Sequence, residues 1–369
     1  MLRSITRTTH HYPRLLRTLA TSSIPTTQKA MVVTDYGGKI EYQDIPVPKP
    51  GPNDILVNIK YSGVCNSDYH IWKGDWIIQA PLPVVPGHEG AGIVVAKGAN
   101  VTNFEIGDYA GVKWINSTCQ SCEYCESGWE TVCPTQTNSG FSVPGTFQQY
   151  TLANAVQAAH IPKDVDLAGV APLLCAGITV YKGLKEANIK AGEWIGIIGA
   201  GGGLGSLAVQ YAKALNYKVI GIDSSSKKDY MKQKGADKVV CFDEVDSVPE
   251  AALEASGGGC HAVINVSSNA AAYNDAVKYI RPAGTVVVVG LPKGQAFLQS
   301  EILTHALRAI NIKGSVVGNR KDTREALQFF ADGQIESPVK VVGLSQVQSV
   351  FEKMERGEIF GRYVVDTSK

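Results

Sequence analysis

The spacing of apolar residues divides the chain into two regions with different predicted structure. Between residues 35 and 150, short β-rich runs such as 55–59 and 92–95 alternate with Gly and Pro turns, which predicts a mostly β domain. After residue 174, strand-like apolar runs alternate with helical segments, the pattern typical of βαβ units. The candidate strands there are 194–198, 218–222, 238–242, 262–266, 285–289 and 312–316. We therefore predict an α/β chain in which a doubly wound parallel sheet accompanies a mostly β domain.

The end of the chain predicts one more helix and one more strand. Residues 322–333 fit a helix with Asp322 as N-cap, Glu325 three residues later and Gly333 as terminator. Residues 361–365 fit a final strand. The uncharged stretch 194–212 is about long enough to span a membrane, but six glycines divide it into strand, turn and helix, so no transmembrane helix is predicted.

The N-terminal segment differs in composition from everything that follows. Residues 1–34 contain five basic residues and no acidic one, and they are rich in Ser and Thr. This composition predicts a mitochondrial transit peptide over residues 1–29, cleaved within 21–31, and hence a location in the mitochondrial matrix. A disordered basic tail is the alternative. The whole chain has a formal net charge of +1, which excludes a strong field for nucleic acid or membrane partners.

Four of the eight cysteines are clustered in one short segment. Their spacing is C-x2-C-x2-C-x7-C, at Cys119, Cys122, Cys125 and Cys133. Four thiolates at such separations can close a tetrahedron around zinc, and they leave no position open for a substrate. The pattern therefore predicts a structural zinc that holds together a lobe too small to bury a core of its own.

This cluster has two other interpretations. Scattered core cysteines would rarely produce such regular steps within one loop. A zinc module that binds nucleic acid is disfavoured, because no Lys or Arg occurs between Lys113 and Lys163 whereas Glu123, Glu126 and Glu130 lie among the cysteines.

Three dispersed residues could form a second metal site. Cys65, His88 and Cys175 would each, taken alone, be interpreted as a packing or turn residue. Together they supply two thiolates and one imidazole, and a Cys2His set leaves one zinc position for water or substrate. Spacing alone cannot bring these three residues together.

A glycine-rich turn predicts a dinucleotide site. Residues 199–205 read GAGGGLG, follow the strand 195–198 and open a predicted helix over 206–215. Glycines let the backbone approach a pyrophosphate at the helix N-terminus. Asp223 ends the next strand, where its carboxylate can accept from the ribose hydroxyls of NAD and repel the 2′-phosphate of NADP. A solvated strand end is the alternative for Asp223, and Lys227 and Lys228 could weaken the preference for NAD.

The chain resembles zinc-containing medium-chain alcohol dehydrogenases, specifically the fungal, ethanol-handling type and its mitochondrial isoenzyme. The motifs that carry the resemblance are YSGVC at 61–65, GHEGAG at 87–92, FQQY at 147–150, the stretch 206–213 and GRYVVD at 361–366. The resemblance extends over about residues 31–369. It implies a GroES-like catalytic domain over 30–175 with the structural-zinc lobe, an NAD-binding Rossmann domain over 176–318 and a return to the catalytic domain over 319–369. It also implies a homotetramer.

The resemblance assigns roles to the catalytic residues. Cys65, His88 and Cys175 would hold a catalytic zinc, with Glu89 close behind it and Asp68 orienting the His88 side of the site. Ser67 and His70 match a proton relay. Two bulky residues, Trp76 and Trp114, match a pocket restricted to short alcohols, although ordinary core packing explains them equally well.

The resemblance also assigns the cofactor contacts. The matching positions are Gly202, Gly203, Leu204, Asp223, Lys228, Val289, Leu291, Ser315, Val317 and Arg362. Asn66 occupies a position where the family more often has His or Arg against the pyrophosphate, which predicts weaker cofactor binding.

The implied enzyme is an NAD-dependent alcohol dehydrogenase of the EC 1.1.1.1 type that interconverts ethanol and acetaldehyde with two zinc ions per subunit. An NADP-dependent reductase of larger aldehydes, a non-catalytic member of the same fold, and a module that senses NAD or zinc without turnover remain alternatives.

Overall fold

The structure is a computed structural model that describes residues 24–359 and 361–369. Most of the predicted transit peptide, residues 1–23, lies outside the described residues. The first strand begins at Thr27, inside the range 1–29 that was assigned to this leader. Gln28 is buried there and donates a hydrogen bond of 3.0 Å to Gln148, so the last residues of that range belong to the folded unit.

The first half of the chain forms the mostly β domain predicted from its short apolar runs. Its strands are β1 (Thr27–Val33), β2 (Ile40–Pro46), β3 (Asp54–Gly63), β4 (Gly90–Lys97), β5 (Tyr109–Val112), β6 (Ile115–Ser117), β7 (Thr137–Asn138), β8 (Tyr150–Asn154) and β9 (Ala159–His160). Three short helices accompany them: α1 (Asn66–Lys73), α2 (Glu123–Glu126) and α3 (Leu167–Val170). The long strand β3 pairs antiparallel with both β4 and β8 and forms the centre of this sheet.

The second half forms the predicted parallel sheet. Its strands are β10 (Trp194–Ile198), β11 (Lys218–Asp223), β12 (Lys238–Cys241), β13 (Cys260–Asn265), β14 (Ile280–Val288) and β15 (Asn311–Gly314). The helices are α4 (Ala176–Ala187), α5 (Gly203–Ala214), α6 (Lys228–Gln233), α7 (Val248–Ser256), α8 (Ala271–Tyr279) and α9 (Ile302–Arg308). The strand order β12-β11-β10-β13-β14-β15 confirms a doubly wound sheet. The central strands are buried on both faces, as helices on both sides of a parallel sheet require.

Most predicted boundaries in this half are wrong by a residue or more, and three of the errors are instructive. Helix α5 begins at Gly203 rather than at residue 206, because the glycines themselves form its first turn. Strand β14 begins at Ile280 rather than at residue 285. A register shift against β13 loops out a Pro- and Gly-containing stretch, and this stretch interrupts the apolar pattern from which the start of the strand was predicted. Strand β15 ends at Gly314, so the last two residues of the predicted strand 312–316 lie outside the sheet.

The C-terminal segment returns to the first sheet. It contains helix α10 (Arg320–Ala331), strand β16 (Val339–Gly343), helix α11 (Val347–Glu355) and strand β17 (Arg362–Asp366). Strand β17 pairs antiparallel with β3 and parallel with β16. The chain therefore closes beside the strand that leads directly into Cys65, which places Arg362 near the same residues.

The predicted N-cap of the last long helix is also wrong. Asn319, not Asp322, caps α10: the side-chain oxygen of Asn319 accepts from the Asp322 N–H at 2.9 Å, and the Asp322 carboxylate accepts from the Asn319 N–H at 3.0 Å. The capping box is shifted by one turn because the basic pair between these two residues is already helical. Glu325 instead accepts from Lys185 and Tyr181 on α4.

One core cluster joins the two halves. It extends from the β domain through α4 to the parallel sheet and includes Leu174, Val180 and Ile197, all fully buried. Among the described residues no single helix is long and apolar enough to cross a membrane. The stretch Leu167–Leu174 and α4 together reach that length with a bend of 50°, and both are buried in this cluster.

Candidate catalytic site

Three segments far apart in the sequence converge on one buried group of ligand atoms. Cys65, His88, Glu89 and Cys175 each contribute one atom, and these atoms lie within 4.8 Å of one another. All four residues are buried. Cys65 immediately precedes α1, the His88–Glu89 pair immediately precedes β4, and Cys175 immediately precedes α4. The convergence that spacing alone could not establish is therefore present in the fold.

The donor set fits a zinc ion. Within the described part of the chain, Nε2 of His88 is buried and has no hydrogen-bond partner, while its Nδ1 bonds to Oδ1 of Asp68 at 2.7 Å. A carboxylate at Nδ1 fixes the tautomer that leaves the Nε2 lone pair free for a metal. Two thiols and this imidazole are the soft donors that zinc prefers. A bound metal ion is the best physical explanation for an unpaired Nε2 beside two sulfurs.

Asp68 organises more than the His88 ring. Its carboxylate is fully buried and also accepts from the backbone N–H of Cys65 at 3.0 Å and of Gly87 at 3.1 Å. One side chain thereby ties together the two backbone segments that carry Cys65 and His88. The sequence prediction that Asp68 orients the His88 side of the site agrees with this placement.

Glu89 forms a buried ion pair with Arg362. Burial raises the pKa of Glu89 to about 8, and the guanidinium of Arg362 opposes that rise. Arg362 also extends to the glycine-rich turn, because a Cβ on Gly203 would stand 2.8 Å from Cδ of Arg362. Its buried Nε has no hydrogen-bond partner among the described residues. Arg362 therefore lies between the predicted metal site and the predicted cofactor site.

Helix α1 carries the two residues of the predicted proton relay. Ser67 lies half-buried in its first turn. The Nδ1 atom of His70 bonds to Oδ1 of Asp75 at 2.7 Å, and its Nε2 bonds to the amide nitrogen of Asn66 at 2.9 Å. The exposed Asn66 amide is thus committed to His70, a contact that the expected pyrophosphate role did not include. Sequence analysis missed Asp75, and no motif marks it.

Aromatic side chains form one wall beside the ligand group. The ring centroid of Trp114 lies 5.2 Å from that of His88, in an edge-to-face arrangement. Trp76 stacks on His70 at 5.8 Å and meets Trp114 at 6.1 Å. Phe141, from a loop that carries no recognisable motif, contacts both tryptophans. The structure therefore brings the two predicted pocket residues together and adds a third.

The four clustered cysteines also converge. One ligand atom from each of Cys119, Cys122, Cys125 and Cys133 lies within 4.8 Å of the others, and none of them forms a disulfide. Hydrogen bonding from the backbone N–H of Ser121, with help from neighbouring thiols, lowers the pKa of Cys119 to about 6. A thiolate is the form that binds a metal. This lobe fits a four-thiolate zinc site closed to substrate.

The glycine-rich turn lines a crevice of about 500 Å³ at the carboxyl ends of β10 and β11. Gly199 adopts a φ of 82°, which favours glycine. A Cβ on Gly205 would stand 2.0 Å from the carbonyl oxygen of Gly199, so only glycine permits this close approach of helix and strand. Gly202 precedes α5, whose first N–H groups open into the crevice. The crevice fits the pyrophosphate of a dinucleotide.

Asp223 lies in the same crevice, buried at the end of β11. Its carboxylate accepts from the Gly201 N–H at 2.9 Å and the Ser224 N–H at 2.8 Å. Lys227, rather than the predicted Lys228, lines the crevice, and its ammonium lies 3.2 Å from the Asp223 carboxylate.

The predicted cofactor contacts divide into two groups. Those that line the crevice are Gly202, Gly203, Leu204 and Asp223. Those that do not are Asn66, Lys228, Val289, Leu291, Ser315, Val317 and Arg362. Lys228 instead pairs with Glu244 at 2.7 Å. The Oγ of Ser315 is buried with no partner among the described residues, and Val317 adopts a φ of 40°, which a β-branched residue rarely does.

Comparison with known proteins identifies both halves. The alcohol dehydrogenase GroES-like domain matches residues 51–163, and the zinc-binding dehydrogenase domain matches residues 203–332. Acetophenone reductase from Geotrichum candidum, solved in complex with NAD, is 31% identical over 94% of this chain and 99% of its own, with a TM-score of 0.81.

Two further solved structures are similar over nearly the whole chain. An alcohol dehydrogenase from Aeropyrum pernix is 27% identical, with coverage of 92% and 100% and a TM-score of 0.83. A protein described as CAD from Helicobacter pylori, complexed with NADP(H), is 25% identical, with coverage of 93% and 99% and a TM-score of 0.82. The similar structures thus include both NAD and NADP(H) complexes.

Proposed function

The chain belongs to the zinc-binding alcohol dehydrogenase family, and from this premise we propose that it interconverts short primary alcohols, ethanol above all, and their aldehydes, with NAD as the hydride carrier. One observation carries the proposal: the buried convergence of Cys65, His88 and Cys175, with Nε2 of His88 left unpaired. A Cys2His set leaves a zinc position for substrate. A purely structural site would have no use for that position.

The residues of the site divide the work of proton removal and positioning. When bound, zinc supplies a Lewis acid for the alcohol oxygen and the nicotinamide supplies the hydride acceptor. Oγ of Ser67 would accept the hydroxyl proton as it releases its own toward Nε2 of His70, which would give up its hydrogen bond from the Asn66 amide to take that proton. The Asp75 carboxylate, already bonded to Nδ1 of His70, stabilises the resulting imidazolium. The aromatic wall of Trp76 and Trp114 limits the length of the alcohol and excludes water.

The preference for NAD rests on Asp223. Its carboxylate lies in the dinucleotide crevice, where it can accept hydrogen bonds from both ribose hydroxyls. The same negative charge repels a 2′-phosphate at short range. Lys227 offsets part of that charge, which favours the second candidate, an NADP-dependent reductase of larger aldehydes.

We extend the proposal to two zinc ions per subunit, with the second in the four-cysteine lobe. The Arg- and Ser-rich first residues support a mitochondrial location. We also propose a homotetramer, and an exposed apolar face on α9 and beside the edge strand β15 supports at least the pairing of two copies. Its residues are Ile302, Leu303, Leu307, Ile312 and Val316. A second copy of the chain would bury this edge and its apolar residues.

Metal analysis coupled to turnover tests the proposal. We expect two zinc ions per chain, NADH formation from ethanol, and at least about a hundredfold lower kcat/KM with NADP, equivalent to about 3 kcal/mol of discrimination. Cys65→Ser should lose one zinc and all turnover. Cys241→Ser is the matched control, since Cys241 is a buried cysteine outside both clusters. Retention of ethanol oxidation by the Cys65→Ser protein would contradict the proposed site.

A further inference from the structure

A second cavity, of about 660 Å³, is lined by none of the residues assigned to catalysis or to cofactor binding. Its walls come from the loops around Asn53 and Asn103, from residues 154–160 and from Gln120 in the cysteine lobe. The N-terminal half of α10 completes it with Arg320 and Arg324. The cavity therefore lies where the β domain, the lobe and the C-terminal segment meet.

The charge of this cavity is one-sided. Its lining includes three basic side chains, Lys113, Arg320 and Arg324, and no Asp or Glu among the described residues. His160 also lines it, but burial lowers the pKa of that imidazole, so it adds no charge near neutral pH. Arg320 is held by Glu130, with Nε 3.0 Å from the carboxylate. Arg324 makes no salt bridge or side-chain hydrogen bond within residues 24–359 and 361–369.

Lys113 is the strongest sign that something is bound there. Its side chain is buried, with only 2% of the residue exposed. Its ammonium donates one hydrogen bond, of 2.8 Å, to Oε1 of Gln157, and no carboxylate of the described chain lies within 4.0 Å. Two of its three protons thus have no acceptor among these residues. A buried cation with no counterion in direct contact is costly unless another group compensates it.

Burial also weakens the basicity of this amine without removing its charge at neutral pH. The pKa of Lys113 falls to about 8 because burial disfavours the ammonium, a fall that the negative charge of Glu130 opposes only in part. Most of the population is therefore still protonated near pH 7. An anion in the cavity would supply the missing acceptor and the missing charge together.

We infer that this cavity binds a small organic oxyanion with at least two negative charges, of the phosphate monoester or polycarboxylate kind. The guanidinium of Arg324 offers a planar fork that matches either group, and the Lys113 ammonium offers point donors from the buried part of the lining. The amides of Asn53, Asn103 and Gln120 suit the hydroxyl or carbonyl groups of the rest of the ligand. A ligand of this class would contact all three walls of the cavity.

Calorimetric titration of the full-length, zinc-loaded protein tests this inference. The probes are glucose 6-phosphate and tricarballylate, which separate a phosphate from a carboxylate source, with glucose as the uncharged comparison. We expect saturable binding of at least one anion and none of glucose. The Arg324→Gln protein should bind it about tenfold more weakly or worse, since a charge-assisted contact is lost.

A matched variant separates specific binding from general charge effects. Lys321→Gln removes the same charge from the same helix, but Lys321 does not line the cavity and is 70% exposed. It should bind the anion as the unmodified protein does. Lys113→Met should abolish binding, and its thermal melting curve shows whether the fold is retained.

Three outcomes would overturn the inference. The first is absence of saturable binding for both anions. The second is equal weakening by Arg324→Gln and Lys321→Gln. The third is binding that Arg324→Gln leaves unchanged, because that would place the anion in the dinucleotide crevice instead.

Discussion

Replacing Asp68 by asparagine should weaken zinc binding at the proposed catalytic site while leaving the fold largely intact. The carboxylate accepts three hydrogen bonds, from His88 Nδ1 and from the N–H groups of Cys65 and Gly87. All three donors are buried, and an asparagine offers only one accepting atom. The amide NH2 group must therefore face at least one donor.

The amide that Asp68→Asn introduces has two possible orientations with different costs. If its oxygen serves His88 and Gly87, the Cys65 N–H is left unsatisfied, which costs about 1–3 kcal/mol of folding stability. If its NH2 group faces His88, Nδ1 must become the acceptor and the proton moves to Nε2. A protonated Nε2 cannot bind a metal. Loss of a carboxylate behind a ligating histidine typically weakens metal binding about 10- to 100-fold.

Chelator competition measures this effect directly. Zinc content is followed while the chelator concentration rises. The Asp68→Asn protein should lose zinc from the proposed catalytic site at a chelator concentration about 10- to 100-fold lower than the unmodified protein requires. Asp75→Asn is the matched control, because it alters the other His–carboxylate pair, at the same 2.7 Å distance, away from the cysteines. It should lower kcat and leave zinc retention unchanged. Equal zinc retention in the Asp68→Asn and unmodified proteins would refute the reasoning.

Three other perturbations have defined outcomes. Cys125→Ser should remove one of the two proposed zinc ions and lower the melting temperature, because the lobe has no core of its own; mass spectrometry of the native protein counts the ions. Asp223→Ala should weaken NAD binding about tenfold, through loss of ribose hydrogen bonds, and raise the NADP rate in the same absorbance assay. In the unmodified protein the free energy of unfolding should rise between about pH 8 and 10.5, because over that range the unfolded chain still holds the Lys113 proton that the folded chain has released. The difference between the two pKa values is worth about 3 kcal/mol. Lys113→Met should abolish this rise. Urea titrations of both proteins at pH 7, 8.5 and 10 measure that difference, and parallel curves would contradict it.

The fold was predictable from the sequence because its strongest signals are local. Six apolar runs of strand length separated by helical segments admit little besides a parallel sheet. The predicted ends of helices and strands were wrong where the side chains that usually mark an end occurred at more than one position. Asp322 and Asn319 are both good caps three residues apart, and a single sequence does not say which of them leads the helix.

The metal-binding cluster in the lobe was predictable for the same reason, since all four cysteines lie within one loop. The dispersed site was not predictable from spacing. Cys65, His88 and Cys175 meet only because α1, β4 and α4 all begin at one point in space, and that point is fixed by sheet register and core packing. The resemblance to a known family supplied what periodicity could not.

The roles that the sequence did not reveal have one property in common: each depends on a partner that is distant in sequence or carries no motif. Arg362 was predicted only as a cofactor contact, and it pairs with Glu89 because β17 pairs with β3, almost three hundred residues earlier. Lys113 lies in an uncharged stretch and is notable only because no acid approaches it within ion-pair distance in the described part of the folded chain. Because the energy of a buried charge depends on what surrounds it, such residues can be recognised only once the fold is known.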